Sequence, residues 1–468
     1  MLAALAGAHV TGAVLVPPSD GDLGWQHWLG ARILSGGLPH SLGAESFAAV
    51  GAPWVPQEWL FSTLLAAMSS HGLGWMFALL VGACAVVALA LVAVRCARYG
   101  AHPVAVAIVL VFTDAAMAQS FGVRAQVVGW AMLAAFLLAL ELPPRYRWAA
   151  VVIAAVWANF HATAAVAPVL AAAAALGSML QGDRPGALRD GALAACCALA
   201  ICATPLGVQL PLYALELVHS PIRHWIGEWR PTALTDAAFV LGALPLFALA
   251  AAAARRAPRR AVVLALPLCY LALSAVRSVP LAAIACAPLA ALALTQLLPS
   301  LASLRQFPSR AVAAAAAIVF CAATSVTALA ARGAHDNRPL AAIAELAQLP
   351  GPHRLLCENF AWCGPAVDTG RISVFVDGRA DPYPPSVWNQ YDAIVHVRPG
   401  WEPAVRRYGI DAMLVHRGGA LDRAAQRAGW QVARNAPIRL LLYDELGAHP
   451  QTRAHLRPAA RPSPVTAR

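Results

Sequence analysis

LGWMFALLVGACAVVALALVAV, residues 73–94, carries no charge, and Arg95 and Arg98 follow it directly. A helix over this run is about 33 Å long at 1.5 Å per residue, against about 30 Å of bilayer hydrocarbon. The run therefore reads as a membrane span with basic residues at one end. Comparable runs follow at 103–118, 127–140, 148–160, 162–180, 191–206, 237–254, 261–275, 279–298 and 311–331. Met1–Pro17 is also apolar; it lacks the basic start of a signal peptide and reads as a first helix. It is short for a span, as a late start to the chain would make it. Together the runs predict an α-helical polytopic membrane protein of about eleven spans.

Composition agrees. Hydrophobic residues make up 60% of the chain and charged residues 12%, where a soluble domain carries about 25% charge. The stretch 148–180 needs separate treatment, because one helix over it would be about 50 Å long. Asn159 and His161 interrupt it in the middle, so two short helices meeting at a turn are expected.

The net charge of +11 is carried by Arg, since the chain has no Lys. Loops 95–102, 141–147, 181–190, 255–260 and 299–310 hold Arg95, Arg98, Arg145, Arg147, Arg184, Arg189, Arg255, Arg256, Arg259, Arg260, Arg305 and Arg310. Basic short loops face the cytoplasm. The alternate loops 18–72, 119–126, the turn at 161, 207–236 and 276–278 hold only Arg32, Arg124, Arg223, Arg230 and Arg277. They face outward, and an odd span count puts residues 335–468 outside as well. No basic stripe with interleaved aromatics is present, so nucleic acid is not an expected partner. Walker, dinucleotide and nucleophile-elbow motifs are absent from the sequence.

Three parts are expected: a transmembrane domain 1–334 with a large first outward loop 18–72, a soluble α/β domain 335–448, and a disordered tail 449–468. In the second part, short apolar runs at 355–356, 373–376, 412–415 and 439–443 alternate with helical patterns at 339–349, 401–408 and 420–428. Cys357 and Cys363 are the only cysteines in the expected soluble domain. In an oxidising compartment they are expected to pair, at about 2–3 kcal/mol by loop closure; unpaired thiols are the alternative.

Polar residues gather in the outward loops. Asp20 and Asp22 lie just past the first run, and Trp25, Trp28, Leu29 and Leu34 recur at helical spacing, as in a helix lying in the interface. Asp22 reads as that helix's cap, which leaves Asp20 unexplained. His27 and Glu58 lie on the same loop; Glu58 reads equally as a solvated loop charge. Asp20, Asp22, Glu58 and His27 offer oxygen and nitrogen ligands to a divalent cation, without the tight spacing that would specify one.

In order, the chain shows Asp20-x-Asp22, Trp25-x-His27 with Gly30, and Pro53-Trp54 with Glu58-Trp59-Leu60. Then come Arg124-x-Gln126, Trp157-x-Asn159-x-His161, Thr204-Pro205-Leu206-Gly207, Glu228-Trp229, Arg277, and Asp377-Gly378-Arg379-Ala380-Asp381. This ordered set resembles a group of bacterial multipass proteins in the polyprenyl-phosphate-dependent glycosyltransferase superfamily, the GT-C fold. Gln57 stands where that group often has His, and Thr204 where it has Asn. The resemblance implies an enzyme of the bacterial inner membrane with an extracytoplasmic C-terminal domain. It would transfer sugar from an isoprenoid-phosphate donor, among membrane lipids, to an acceptor hydroxyl outside.

On that resemblance Asp20 or Asp22 is the general base. Arg124 and Arg277, at span ends, would meet the leaving phosphate; lipid headgroups are the alternative partners for each. His27, Glu58, Gln126, Asn159, His161 and Glu228 would line the substrate site, with a structural role as the alternative for Asn159 and His161. Asp377, Arg379 and Asp381 read as a possible second site or, alternatively, as a turn closed by its own Asp–Arg pair. A lipid-linked saccharide transporter and a non-catalytic scaffold of the same fold remain as other readings.

The orientation is testable. A reporter active only outside the cytoplasm should give signal when fused after residue 335 and none at the 255–260 Arg cluster. Signal at that cluster would invert the topology.

Overall fold

The computed structural model describes residues 21–118, 120–297 and 339–443. They form two compact units, 1–40 with 54–335 and 41–53 with 336–468. The first is helical: α1 Asp22–Gly36, α2 Trp59–Ser70, α3 Gly74–Arg98, α4 Pro103–Ala118, α5 Ala125–Glu141, α6 Ala149–Phe160, α7 Val166–Leu180, α8 Arg184–Ala200, α9 Gln209–His219, α10 Leu244–Ala253, α11 Arg259–Ser274 and α12 Val279–Leu297.

Three helical segments among the described residues are long and apolar enough to cross a membrane: Gly74–Arg98, Ala162–Leu180 and Val276–Leu297. Shorter apolar helices cover Trp59–Ser70, Pro103–Ala118, Ala125–Glu141 and Phe239–Ala253. Two of the expected spans, 1–17 and 311–331, lie outside the described residues. The unit also turns apolar side chains outward, Val152 and Leu188 being 65% and 77% exposed, as a hydrocarbon solvent permits.

Helices without a hydrophobic drive between them associate through small residues that let backbones approach. Gly30 is such a contact: a Cβ there would lie 1.9 Å from the Ser62 carbonyl oxygen, so α1 meets α2 backbone to backbone. Gly242 does the same against Ala116, and Gly177 against Arg260. The run 148–180 breaks at His161, whose backbone is extended (φ −163°, ψ 140°), and a 3-10 turn over Ala162–Ala165 leads into α7.

Several of the loop arginines are spent on buried pairs at helix ends. Arg95, 3% exposed, holds Glu141 through Nη2 at 2.7 Å and donates to the Ile284 carbonyl at 2.9 Å. Asp190 takes Arg147 and Arg260, each at 3.0 Å, and the Ser178 hydroxyl. These pairs tie α3 to α5 and α12, and α8 to α7 and α11.

The second unit is a five-stranded sheet of order β2-β1-β3-β5-β4, from β1 His353–Cys357, β2 Ile372–Val374, β3 Ala412–His416, β4 Gln431–Arg434 and β5 Ile438–Leu442. β2, β1 and β3 run parallel, while β5 is antiparallel to both β3 and β4. Helices α13 Leu340–Gln348, α14 Gly364–Val367, α15 Pro385–Val395, α16 Trp401–Tyr408 and α17 Ala420–Arg427 complete it. The sequence pattern misses β4, an edge strand with Gln431 exposed and the rest half-buried, and α15, which opens on two prolines. Cys357 and Cys363 form a disulfide, Cα to Cα 5.9 Å. The expected tail 449–468 lies outside the described residues.

One boundary differs from the sequence reading. Residues 41–53, expected within the first domain, belong to the second unit. The Glu45 carbonyl accepts from Val374 N–H at 2.8 Å, and the Phe47 ring packs edge-on against Phe375. The fully buried Arg379 side chain pairs with Asp377 at 2.6 Å and Glu45 at 3.3 Å, and it donates to the Ser46 hydroxyl at 2.5 Å. Neighbouring carboxylates outweigh burial and hold the Arg379 pKa above its usual value. Residues 41–53 thus supply one side of a buried ion network within the second unit.

Removing one partner of a buried ion pair costs about 3–5 kcal/mol because the other charge stays buried. Arg379→Ala should therefore lower the melting temperature and open residues 336–443 to protease, with Arg379→Lys intermediate. Unchanged protease resistance in the Ala variant would show that the network contributes nothing to this unit.

Candidate functional site

Polar residues of the first unit converge by a chain of contacts that begins where α1 crosses α2. Gln26 and Glu58 each lie one helical turn before the Gly30–Ser62 approach, and the Gln26 amide donates to Glu58 Oε2. The neighbouring Gln57 amide donates to Glu58 Oε1 at 3.1 Å, while its own carbonyl accepts the Ala162 N–H at 2.7 Å. Gln57 thereby ties the first loop to the break after α6.

The break is built around His161. Its Nδ1 accepts from Thr163 N–H at 3.0 Å and lies 2.9 Å from the Thr163 hydroxyl, which accepts the Trp157 indole N–H at 3.1 Å. That network assigns the proton of a neutral imidazole to Nε2. Nε2 lies 3.4 Å from Glu58 Oε1 and is buried without a hydrogen bond. Burial first, then the Arg277 charge, push the His161 pKa down to about 3. The contact with Glu58 is therefore that of a neutral ring, not an ion pair.

A second half of the site carries the cations. Gln126, at the start of α5, donates to the Arg277 carbonyl at 3.0 Å. The Arg277 guanidinium lies 4.8 Å from the Trp229 ring centroid. Arg124 pairs with Glu228 at 2.8 Å. Burial raises the Glu228 pKa, but Arg124 and Arg277 overcome it and hold the carboxyl below its usual range. Glu228 is thus an anion between two arginines. Arg230 pairs with Asp236, and Arg223 donates to the Ser274 carbonyl at 2.5 Å; both brace the loop between α9 and α10.

Of the residues singled out in sequence, the structure joins Glu58 to His161, and Arg124, Gln126, Glu228 and Arg277 to one another, with Arg277 acting electrostatically on His161. Asn159 spends its amide on the Ala155 and Ala203 carbonyls, at 2.8 and 3.0 Å, and fastens α6 to the turn after α8. His27 is half-buried on α1. Asp20 lies outside the described residues. Asp22 is the first residue of α1 rather than its cap: Gly21 holds that position without a side-chain bond, and the Asp22 carboxylate accepts the Trp25 indole N–H at 3.0 Å. A carboxylate in the first turn is still favoured by the helix dipole. Asp377 and Arg379 are fully buried in the second unit with their charges turned on each other and on Glu45, so that motif is a structural turn.

Sequence reasoning missed Gln26 and Thr163 and saw Gln57 only as a departure. Gln26 had a signal, lying four residues before Gly30 on one helical face. Among the described residues no three His, Cys, Asp or Glu side chains gather as a metal ion would require; Asp20 is not among those residues.

Among the described residues Gln26 Oε1, His161 Nε2 and Gln126 Oε1 are buried without a hydrogen-bond partner in the protein, as are Trp59 Nε1 and Ser62 Oγ.

No protein-family model matches the sequence, and no curated protein matches it. Solved structures do match its fold. The archaeal oligosaccharyltransferase AglB from Archaeoglobus fulgidus, in complex with an inhibitory peptide and a dolichol-phosphate, aligns at TM-score 0.61 and 12% identity over 88% of this chain and 69% of that one. ArnT from Cupriavidus metallidurans, bound to undecaprenyl phosphate, aligns at TM-score 0.54 and 14% identity over 94% of this chain and 97% of that one. The Archaeoglobus enzyme in complex with Zn and sulfate aligns at 0.56 and 12%, over 88% and 67%. At such identities the likeness is one of fold alone: this chain shares the fold of AglB and of ArnT.

Proposed function

We propose that the chain transfers a sugar from an isoprenoid-phosphate donor to an acceptor hydroxyl on the external face of a bacterial inner membrane. What supports this reading is the set of polar contacts that joins Glu58 to His161 and holds Arg124 and Arg277 about Glu228. Such a place suits a ligand with both hydroxyl groups and an anion. A sugar joined to a lipid phosphate has both.

The reaction assigns a role to each residue. Asp20 or Asp22 takes the proton of the acceptor hydroxyl as its oxygen bonds to the anomeric carbon. The bond from that carbon to the phosphate oxygen breaks, and the phosphate leaves with the electron pair. Arg277 and Arg124 meet the charge that develops. Glu228 holds Arg124, and Gln126 holds the backbone beside Arg277. His161, kept neutral, donates a hydrogen bond through Nε2 to a sugar hydroxyl without adding a charge. Glu58, fixed by two amides, accepts a second.

Loss of a general base costs about 10²–10⁴-fold in rate, and loss of a preorganised charge-stabilising donor about 10²–10³-fold. The Asp20→Asn/Asp22→Asn double variant and Arg277→Ala should each fall by those factors in sugar transfer from a polyprenyl-phosphate sugar. Neither should restore the envelope glycans of a deletion strain, as read by mass spectrometry. A double Asn variant that inserts normally and restores them fully would remove both aspartates from the chemistry and favour a scaffold.

A further inference from the structure

The second unit holds a cleft of about 420 Å³, inside the range of about 300–1,000 Å³ typical of small-molecule sites. It is lined by Trp401, Glu402, Arg406, Asp411, Trp430 and Tyr443 over a floor that includes Val405 and Ile410. We propose that this cleft binds a short neutral saccharide. The proposal deepens the glycosyl-transfer reading and rests on it for preferring a glycan to a peptide, with the acceptor or the growing product as the natural occupant.

The lining selects by charge. The lining holds two carboxylates, Glu402 and Asp411, and the guanidinium of Arg406, and the Arg354 guanidinium lies against Gly409 of the same lining. Two charges of each sign balance, so neither an anion nor a cation is favoured over a neutral polar ligand. A sugar carries no charge, and each hydroxyl both donates and accepts, so one ring can serve all three side chains. The apolar faces of the same ring need apolar walls, which Trp401, Trp430 and Tyr443 supply.

The polar groups are also placed to be used. Glu402 and Arg406 form only an i, i+4 pair at 3.5 Å with side chains 45% and 60% exposed; such pairs are worth little and open easily. Asp411 is anchored at one oxygen, which accepts Arg354 N–H at 2.8 Å. Its other oxygen lies 3.5 Å from His353 Nδ1, on a buried ring whose two nitrogens lack a hydrogen-bond partner among the described residues. The Trp430 and Tyr443 rings pack at 5.2 Å, and Trp401 and Trp430 are themselves 8% and 4% exposed. The walls are therefore fixed before a ligand arrives, which removes part of the ordering cost of binding.

The test uses the full chain in lipid nanodiscs free of glycoside detergent, applied to an array of neutral oligosaccharides with phosphopeptides and unmodified peptides alongside. Losing a hydrogen bond to a charged group weakens binding about tenfold or more. Glu402→Gln/Arg406→Gln, two exposed positions, should bind its best oligosaccharide at least that much more weakly, and Asp411→Asn likewise. The Asp20→Asn/Asp22→Asn variant should bind as wild type while losing transfer, which separates this site from the reaction. Absence of any bound oligosaccharide, capture of peptides alone, or binding indifferent to the cleft variants would overturn the proposal.

Discussion

A helix cannot end within an apolar run without freeing backbone N–H groups, and where they are buried each must be satisfied by the protein itself. Residues 160–163 meet that constraint with side chains: His161 Nδ1 takes the Thr163 N–H and Gln57 takes the Ala162 N–H. The rest of the site follows from this solution. An imidazole used as a cap at Nδ1 must present its proton at Nε2, and Gln57 in reaching the break carries its neighbour Glu58 to that nitrogen. Local backbone satisfaction and site assembly are one set of bonds.

Electrostatics then separates the site into two halves. Among the described residues, Glu58 is met by the amides of Gln26 and Gln57 and by the neutral His161 ring. Glu228 is met by Arg124 and Arg277, which hold it as an anion.

Much of this was legible in the sequence because membrane burial is a one-dimensional signal. Uncharged runs and the Arg bias of alternate loops gave the helical first unit, and Asn159 with His161 inside a run too long for one helix marked the break. Arg124, Gln126 and Arg277 were visible as polar residues at run ends, and Glu228 only through the resemblance. What did not show is three-dimensional. Gln26 and Thr163 are ordinary polar residues until the Gly30 contact and the His161 turn place them. Arg95, Arg147 and Arg260 read as loop charge, yet they close buried pairs with carboxylates far along the chain. The strand Gln431–Arg434 lacks an alternating pattern because only a sheet edge receives it. Nothing local in residues 41–53 announces membership of the second unit.

That last feature governs the order in which the molecule is completed. Glu45 and Arg379 meet across 334 residues of chain, and synthesis proceeds at about 5–20 residues per second. For tens of seconds after Glu45 and Phe47 emerge, the strands and the arginine that cover them do not yet exist. The first loop must stay extended through that interval, with a carboxylate and an aromatic ring uncovered, while the helices on either side of it insert. The second unit then folds onto a segment that has already been delivered. Residues 336–443 alone would lack Glu45, Ser46 and Phe47, so the sheet is not an independent module appended to a membrane protein. Its core closes only when the last part of the chain returns to one of the first.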